Sequence, residues 1–190
     1  MSTMNKLNIE VKSIENAPEA SQDALKAAKA AYGFEANLLG AMANHPALLN
    51  SYLQGSALLD ANSTLSPIEQ QVAFLTVSYE NNCHYCMAAH STIGQMTKVP
   101  QEVIDSLRNG TPIADPKLEA LRQYVKATTI NRGRVSDDDI QNFLAAGFNE
   151  EQILEVITIV GFKVFTNYIN YLVKTPVDDA FQANSWEPRV

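Results

Sequence analysis

Cysteine is nearly missing from this chain of 190 residues: Cys83 and Cys86 are the only two, and histidine occurs three times. Two thiols three positions apart exclude the disulfide framework that staples small secreted domains. Basic runs are missing as well. With a formal charge of −7 and no cluster of lysine or arginine, a nucleic-acid-binding face is excluded. Residues 1–12 are polar and lack the apolar segment of a signal peptide. No long hydrophobic run is free of interruption. The most apolar stretch, residues 153–173, carries Glu155, Lys163, Asn167 and Asn170, which argue against a membrane span. A cytoplasmic address is the expectation. In a reducing compartment a close cysteine pair points to catalysis or metal binding rather than to a structural cross-link. The sequence also has no internal repeat, low-complexity segment or interdomain linker. Its hydrophobic content of 46% suffices for one core, so a single domain is expected.

What the chain does have is the run Asn82-Cys83-His84-Tyr85-Cys86-Met87-Ala88-Ala89-His90, which holds both cysteines and two of the three histidines. On an α-helix the offsets of three and four place both sulfurs and the His90 imidazole on one face. With Asn82 as the expected N-cap, the cysteines fall in the first turn. There the free backbone N–H groups and the helix dipole stabilise a thiolate, and a histidine one turn later can relay a proton. These residues point to a thiol redox site. A zinc site built from Cys83, Cys86, His90 and His84 is the competing reading, but structural zinc usually ties two separated segments together, and these ligands share one.

The rest of the sequence reads as all-α. Residues 5–14 alternate, with Leu7, Ile9 and Val11 against Asn8, Glu10 and Lys12, and no partner strand is evident. An extended arm over residues 1–17 is expected, packed on the body or on a neighbouring subunit. A compact helical bundle follows over residues 18–183, with a short tail at 184–190. Helices are expected from Pro18 to a stop at Gly33, from Asn37 to His45, and from Pro46 past Leu59. Ser66-Pro67-Ile68-Glu69 is a capped start for a helix that runs to Tyr79. Further helices begin at Pro100, at Asp115-Pro116 and at Ser136, where Asp139 completes a capping box. Asn149 caps the last and longest, which ends near Lys174 before Pro176.

The order Ser66-Pro67, an apolar helix, and then Asn82-Cys83-x-x-Cys86-x-x-x-His90 resembles the carboxymuconolactone decarboxylase and alkylhydroperoxidase D superfamily. The segment Asn167-Tyr168-Ile169-Asn170-Tyr171-Leu172 followed by Thr175-Pro176-Val177-Asp178 looks like its peroxidase-related branch. The resemblance implies a helical fold assembled as a homo-oligomer, with no cofactor beyond a redox-active Cys83–Cys86 disulfide. It implies that Cys86 attacks a hydroperoxide, and that Cys83 supplies a proton and then closes the disulfide. His90 belongs to the proton relay, and an unidentified thiol acts as reductant. Relatives carry a relay glutamate twelve residues before the first cysteine, where this chain has Gln71. They also place a histidine directly before the second cysteine, where this chain has Tyr85.

Gln lacks the basic carboxylate but can orient a water, so Glu80 and Glu155 stand as substitutes for the missing base. Each also has a plainer reading as a solvated or helix-pairing carboxylate. Glu69 is explained by its capping position. Tyr168, Asn167 and Asn170 either line a pocket or satisfy buried backbone, and His84 falls on another part of the helical wheel. The functional expectation is a thiol-dependent peroxidase or disulfide reductase. A lyase acting on a lactone acid and a non-catalytic redox-sensing oligomer are the alternatives.

Overall fold

The computed structural model describes residue 7 and residues 9–187. Among these residues there are nine α-helices, one 3₁₀ helix and no strands. The helices are α1 Glu19–Tyr32, α2 Asn37–Met42, α3 Pro46–Asn62, α4 Pro67–Glu80, α5 His84–Met96, α6 Gln101–Asn109, α7 Pro116–Ile130, α8 Asp137–Ala145 and α9 Glu150–Val173. The 3₁₀ helix, Asp179–Asn184, lies in the region expected to end the domain and begin the tail.

Local sequence sets most of the boundaries. Ser66 and Glu69 form a complete capping box on α4, as do Ser136 and Asp139 on α8 and Asn149 and Gln152 on α9. Asp115 caps α7 through the N–H groups of Lys117 and Leu118. Gly33 and Gly110 close α1 and α6 in the left-handed conformation. Asn37 is the first residue of α2 rather than its cap. Ala36 takes the cap position without a side-chain bond, and the Asp178 carboxylate reaches across to accept the Asn37 N–H.

Two apolar clusters are joined by α5. The larger packs α4, α6, α7, α8 and α9 around Val72, Leu75, Ile104, Leu121, Phe143 and Ile159. Phe143 stacks between Tyr124 and Phe148 at 4.5 and 4.4 Å between ring centroids. The smaller holds Leu25, Leu38, Leu39, Met42 and Leu49 from α1, α2 and α3 together with Cys83, Tyr85, Cys86 and Ala89. Met87 of α5 turns into the larger cluster. The helix with the cysteines is therefore buried on both sides.

α9 is long and apolar enough, by length and composition, to cross a membrane. Its buried face is largely polar, however: Glu155, Lys163, Thr166, Asn167 and Asn170 are buried along with Val156 and Ile159, whereas Leu154, Ile157, Tyr168, Tyr171 and Leu172 are exposed. Glu155 accepts the N–H groups of Thr64 and Leu65 and the hydroxyls of Ser63 and Thr64. It holds the α3–α4 loop and lies away from the cysteines.

The alternating segment is an extended arm on the body, although residues 1–6 and 8 lie outside the described residues. The Lys12 N–H donates to the Gly40 carbonyl at 3.1 Å, and Asn44 donates to the Glu10 carbonyl at 2.8 Å. Leu7 and Ile9 stay exposed, so only the part near Val11 is packed. Gly40 is what permits this crossing, because a Cβ there would lie 2.4 Å from the Lys12 carbonyl oxygen. Gly40→Ala is expected to cost about 1–3 kcal/mol by displacing the arm backbone. Thermal unfolding checks this: Tm should fall by several degrees, and an unchanged Tm would mean that the arm contributes nothing to stability.

Candidate functional site

The corner between α4 and α5 sets the positions of both sulfurs. Asn82 adopts a left-handed conformation (φ 56°), which asparagine tolerates better than most residues. Its N–H donates to the Tyr79 carbonyl at 3.0 Å and that of Cys83 donates to the Ser78 carbonyl at 2.9 Å, a Schellman closure of α4. Asn82 therefore ends one helix instead of capping the next. The N-cap of α5 is Cys83, whose Sγ accepts the Cys86 N–H at 3.4 Å. Cys86 is the third residue of α5, where backbone N–H groups are still free of helical partners.

A cavity of about 300 Å³ opens over Cys86. Tyr32, Phe34, Tyr52, Tyr85 and Phe181 supply an aromatic lining, and His90, Lys163 and Thr166 are its polar members beside the thiol. Cys83 does not line it. The expected stripe of two sulfurs and an imidazole is thus divided: Cys86 and His90 face the cavity, with Cys83 behind them. A larger groove of about 410 Å³ between α3 and α9 is lined by residues such as Leu58, Leu154 and Phe162 and contains no thiol or histidine.

The surroundings of Cys86 come mainly from α9. Asn170 Nδ2 donates to Cys86 Sγ at 3.3 Å and lies 3.8 Å from Cys83 Sγ, while Thr166 Oγ1 is 3.7 Å from Cys86 Sγ. The Asn170 Oδ1 is buried without a partner. The amide forgoes a bond for its oxygen in order to turn its nitrogen toward the sulfurs. Burial alone would push the Cys86 thiol up. The hydrogen bond with Cys83, the Lys163 ammonium, and the contacts with Thr166 and Asn170 hold it well below the ordinary thiol value. Cys83 moves the other way, raised by its hydrogen bond to Cys86 and by burial. The two sulfurs are thus pushed in opposite directions, Cys86 toward the thiolate and Cys83 toward the thiol.

His90 stacks on Phe74 at 4.7 Å, and its Nδ1 lies 3.0 Å from Gln71 Oε1. Burial, and then the Lys163 charge, push its pKa well below the usual histidine value, so the ring is neutral. With Oε1 as acceptor, Nδ1 carries the proton and Nε2 is the basic nitrogen. Gln71 therefore occupies a relay position by contact with His90.

Other expected residues lie elsewhere. Glu80 pairs with Lys126 of α7 at 3.7 Å and does not reach the cavity. Tyr168 is 57% exposed on the outer face of α9, so it lines no part of this site. Asn167 is buried but accepts from Asn81 Nδ2 at 2.9 Å, tying α9 to the end of α4. Tyr85 is a wall residue whose hydroxyl donates to Asp178. His84 is half-buried at the start of α5, with Nε2 3.2 Å from the Thr175 carbonyl oxygen. Among the described residues, no three His, Cys, Asp or Glu side chains converge as metal ligands would.

Lys163 is the buried cavity residue beside Cys86 that sequence reasoning missed. It is 3% exposed and has no carboxylate partner among the described residues; the Phe74 ring lies 5.8 Å from its Nζ. The signal was present in the sequence. Lys163, Thr166 and Asn170 recur at helical spacing inside an apolar run, which marks one polar stripe.

No protein-family model and no curated protein matches the chain. Solved structures do. An uncharacterized peroxidase-related protein from Silicibacter superposes with a TM-score of 0.78 at 21% identity, covering 96% of each chain. A peroxidase-related protein from Ralstonia eutropha, described as an alkylhydroperoxidase AhpD core, gives 0.78 at 20% identity over 94% of this chain and 96% of its own. A debrominase in complex with 2,3,4-tribromopyrrole also gives 0.78, at 17% identity over 96% and 97%. The resemblance carried by residues 66–90 thus holds at the level of architecture: this chain has the helical fold of the alkylhydroperoxidase D core and the peroxidase-related proteins built on it.

Proposed function

We propose that the protein is a thiol-dependent peroxidase that reduces a small organic hydroperoxide at Cys86. The observation that carries this reading is the single cavity-facing sulfur, with Lys163 and Asn170 directed at it and a protonated Cys83 behind it. The Cys86 thiolate attacks the terminal hydroperoxide oxygen and the O–O bond breaks. Neutral His90 takes the hydroperoxide proton at Nε2 and returns it to the departing alkoxide, so the alcohol leaves and a sulfenate remains beside Lys163. Cys83 then attacks Cys86 Sγ, the S–O bond breaks, the oxygen departs as water with the Cys83 thiol proton and one proton from solvent, and the disulfide closes. The physiological reductant is a thiol, and the setting is a reducing cytoplasm in which the pair is recycled.

Mass-counting of free thiols after exposure to an organic hydroperoxide tests this cycle. Wild-type protein should lose both thiols to one intramolecular disulfide, and Cys83→Ser should stop at an oxidised Cys86. Thiols that survive excess oxidant would end the reading.

The depressed thiol of Cys86 has a pH consequence. Its alkylation by iodoacetamide should stay near the plateau as pH falls below the ordinary thiol range, because the thiolate persists there. Lys163→Met removes the facing charge and should move the onset of reactivity to higher pH. Identical pH profiles for the two proteins would remove Lys163 from the site.

The assembly proposed with this function is a homo-oligomer. Leu154, Ile157, Tyr168, Tyr171 and Leu172 give α9 an apolar outer face for a second copy. Light scattering should report a multiple of the 20.9 kDa chain. A single-chain mass would refute the assembly without touching the chemistry.

A further inference from the structure

Lys163 and Cys86 are a buried cation and anion in one apolar cavity, and the reaction proposed above destroys only the anion. Lys163 lies on the inner face of α9, 3% exposed and without a carboxylate partner among the described residues. The titratable groups that line the cavity with it are Cys86, His90, Tyr32, Tyr52 and Tyr85, with Cys83 behind Cys86; burial pushes the three tyrosines up and keeps them neutral, and the Phe74 ring lies 5.8 Å from the Lys163 Nζ. Of these, only a thiolate offers a negative charge, because the Gln71–His90 pair is neutral. Closing the Cys83–Cys86 disulfide removes the thiolate charge that shares a cavity of about 300 Å³ with the ammonium. A buried charge stripped of its partner is strongly unfavourable, and a small anion admitted from solvent relieves it.

We propose that oxidation of the cysteine pair turns this cavity into a binding site for a small monovalent organic anion held by Lys163, and that the reducing thiol enters as that anion. The inference rests on the disulfide cycle of the proposed function. Both sulfurs are at most 3% exposed, so a thiol fixed on a folded protein surface cannot meet them and a slender one can. Cys86 is the sulfur that lines the cavity and is the one attacked. The incoming thiolate bonds to Cys86 Sγ, the S–S bond breaks, and the electron pair leaves on Cys83, which takes a proton from solvent. A second thiolate attacks the sulfur of the first reductant and releases Cys86 as thiolate. Two thiols are thereby oxidised to one external disulfide, and the two electrons reduce the protein pair. The regenerated Cys86 thiolate again neutralises Lys163 and excludes further anions.

Thiocyanate, a monovalent anion that does not reduce disulfides, is the probe, and isothermal titration calorimetry is the readout. Protein oxidised with diamide should bind it at least about tenfold more tightly than reduced protein, the modest end of what removing one facing charge provides. Cys86→Ser, which removes the thiolate without any oxidation, should bind it as the oxidised form does. Oxidised Lys163→Met should not bind, whereas oxidised Lys163→Arg should. Equal affinity for oxidised and reduced protein overturns the proposal. So does failure of both the oxidised form and Cys86→Ser to bind. Diamide replaces the hydroperoxide throughout, so the two readings can fail separately. Thiols that resist hydroperoxide while thiocyanate binding remains redox-gated would sink the peroxidase alone. Thiol loss to hydroperoxide with no gating would sink the anion site alone.

Discussion

A lysine ammonium buried beside a thiol is the constraint on which this structure depends. Taking such a cation out of water costs several kcal/mol even after relaxation, and only a facing negative charge or a set of polar groups offsets it. The arrangement of α9 follows from that need. Lys163, Thr166, Asn167 and Asn170 point inward, toward α4 and α5, while Val156 and Ile159 fill the core nearer the start of the helix and Tyr168, Tyr171 and Leu172 are left outside. The unpartnered Oδ1 of Asn170 and Nδ2 of Asn167 are local costs accepted along the same stripe. Buried polar groups without partners are uncommon and concentrate where a structure serves something other than stability.

The second requirement is the position of the sulfur, and the α4–α5 corner meets it with very little chain. A Schellman closure on Asn82 runs directly into an N-cap on Cys83, leaving no loop through which Cys86 could shift. Because Cys83 spends its sulfur on the Cys86 N–H, the two thiols differ before any chemistry occurs. One caps the helix behind the cavity, and the other faces the cavity at a position favourable to negative charge. The C-terminal segment secures the outer side of the same corner. Asp178 accepts from both Asn37 and Tyr85, and the Thr175 carbonyl lies against His84.

Most of the helical framework was legible in the sequence, because local hydrogen-bonding chemistry sets it: Ser66 with Glu69, Ser136 with Asp139, Asn149 with Gln152, and Asp115 before Pro116. The cysteine pair and His90 were legible from spacing. What failed depended on knowing which face of a helix is inside. The C-terminal half of α9 buries Lys163, Thr166, Asn167 and Asn170 and exposes Tyr168, Tyr171 and Leu172, so Tyr168 proved exposed and Lys163 went unrecognised. Asn82 was misassigned because asparagine suits both a helix start and a left-handed helix end. Only the bonds to Tyr79 and Ser78 distinguish them. Glu80 is three residues from Cys83 in sequence but faces α7, a relation that no single-helix wheel contains.

Gln71 and Lys163 are best understood as two halves of one charge balance. A carboxylate at position 71, bonded to His90, would favour the imidazolium and place a second anion near the buried lysine. The lysine would then be shared between carboxylate and sulfur, and its hold on the thiolate would weaken. With glutamine there, the His90 ring stays neutral and keeps a basic nitrogen, and Cys86 alone balances Lys163. In the cycle proposed above, the place that the resemblance gives to a glutamate base is taken by a cation that makes the proton easy to lose. Substituting Gln71 without regard to Lys163 would therefore leave two anionic groups competing for one buried cation, which couples these two distant positions in the sequence through a single electrostatic requirement.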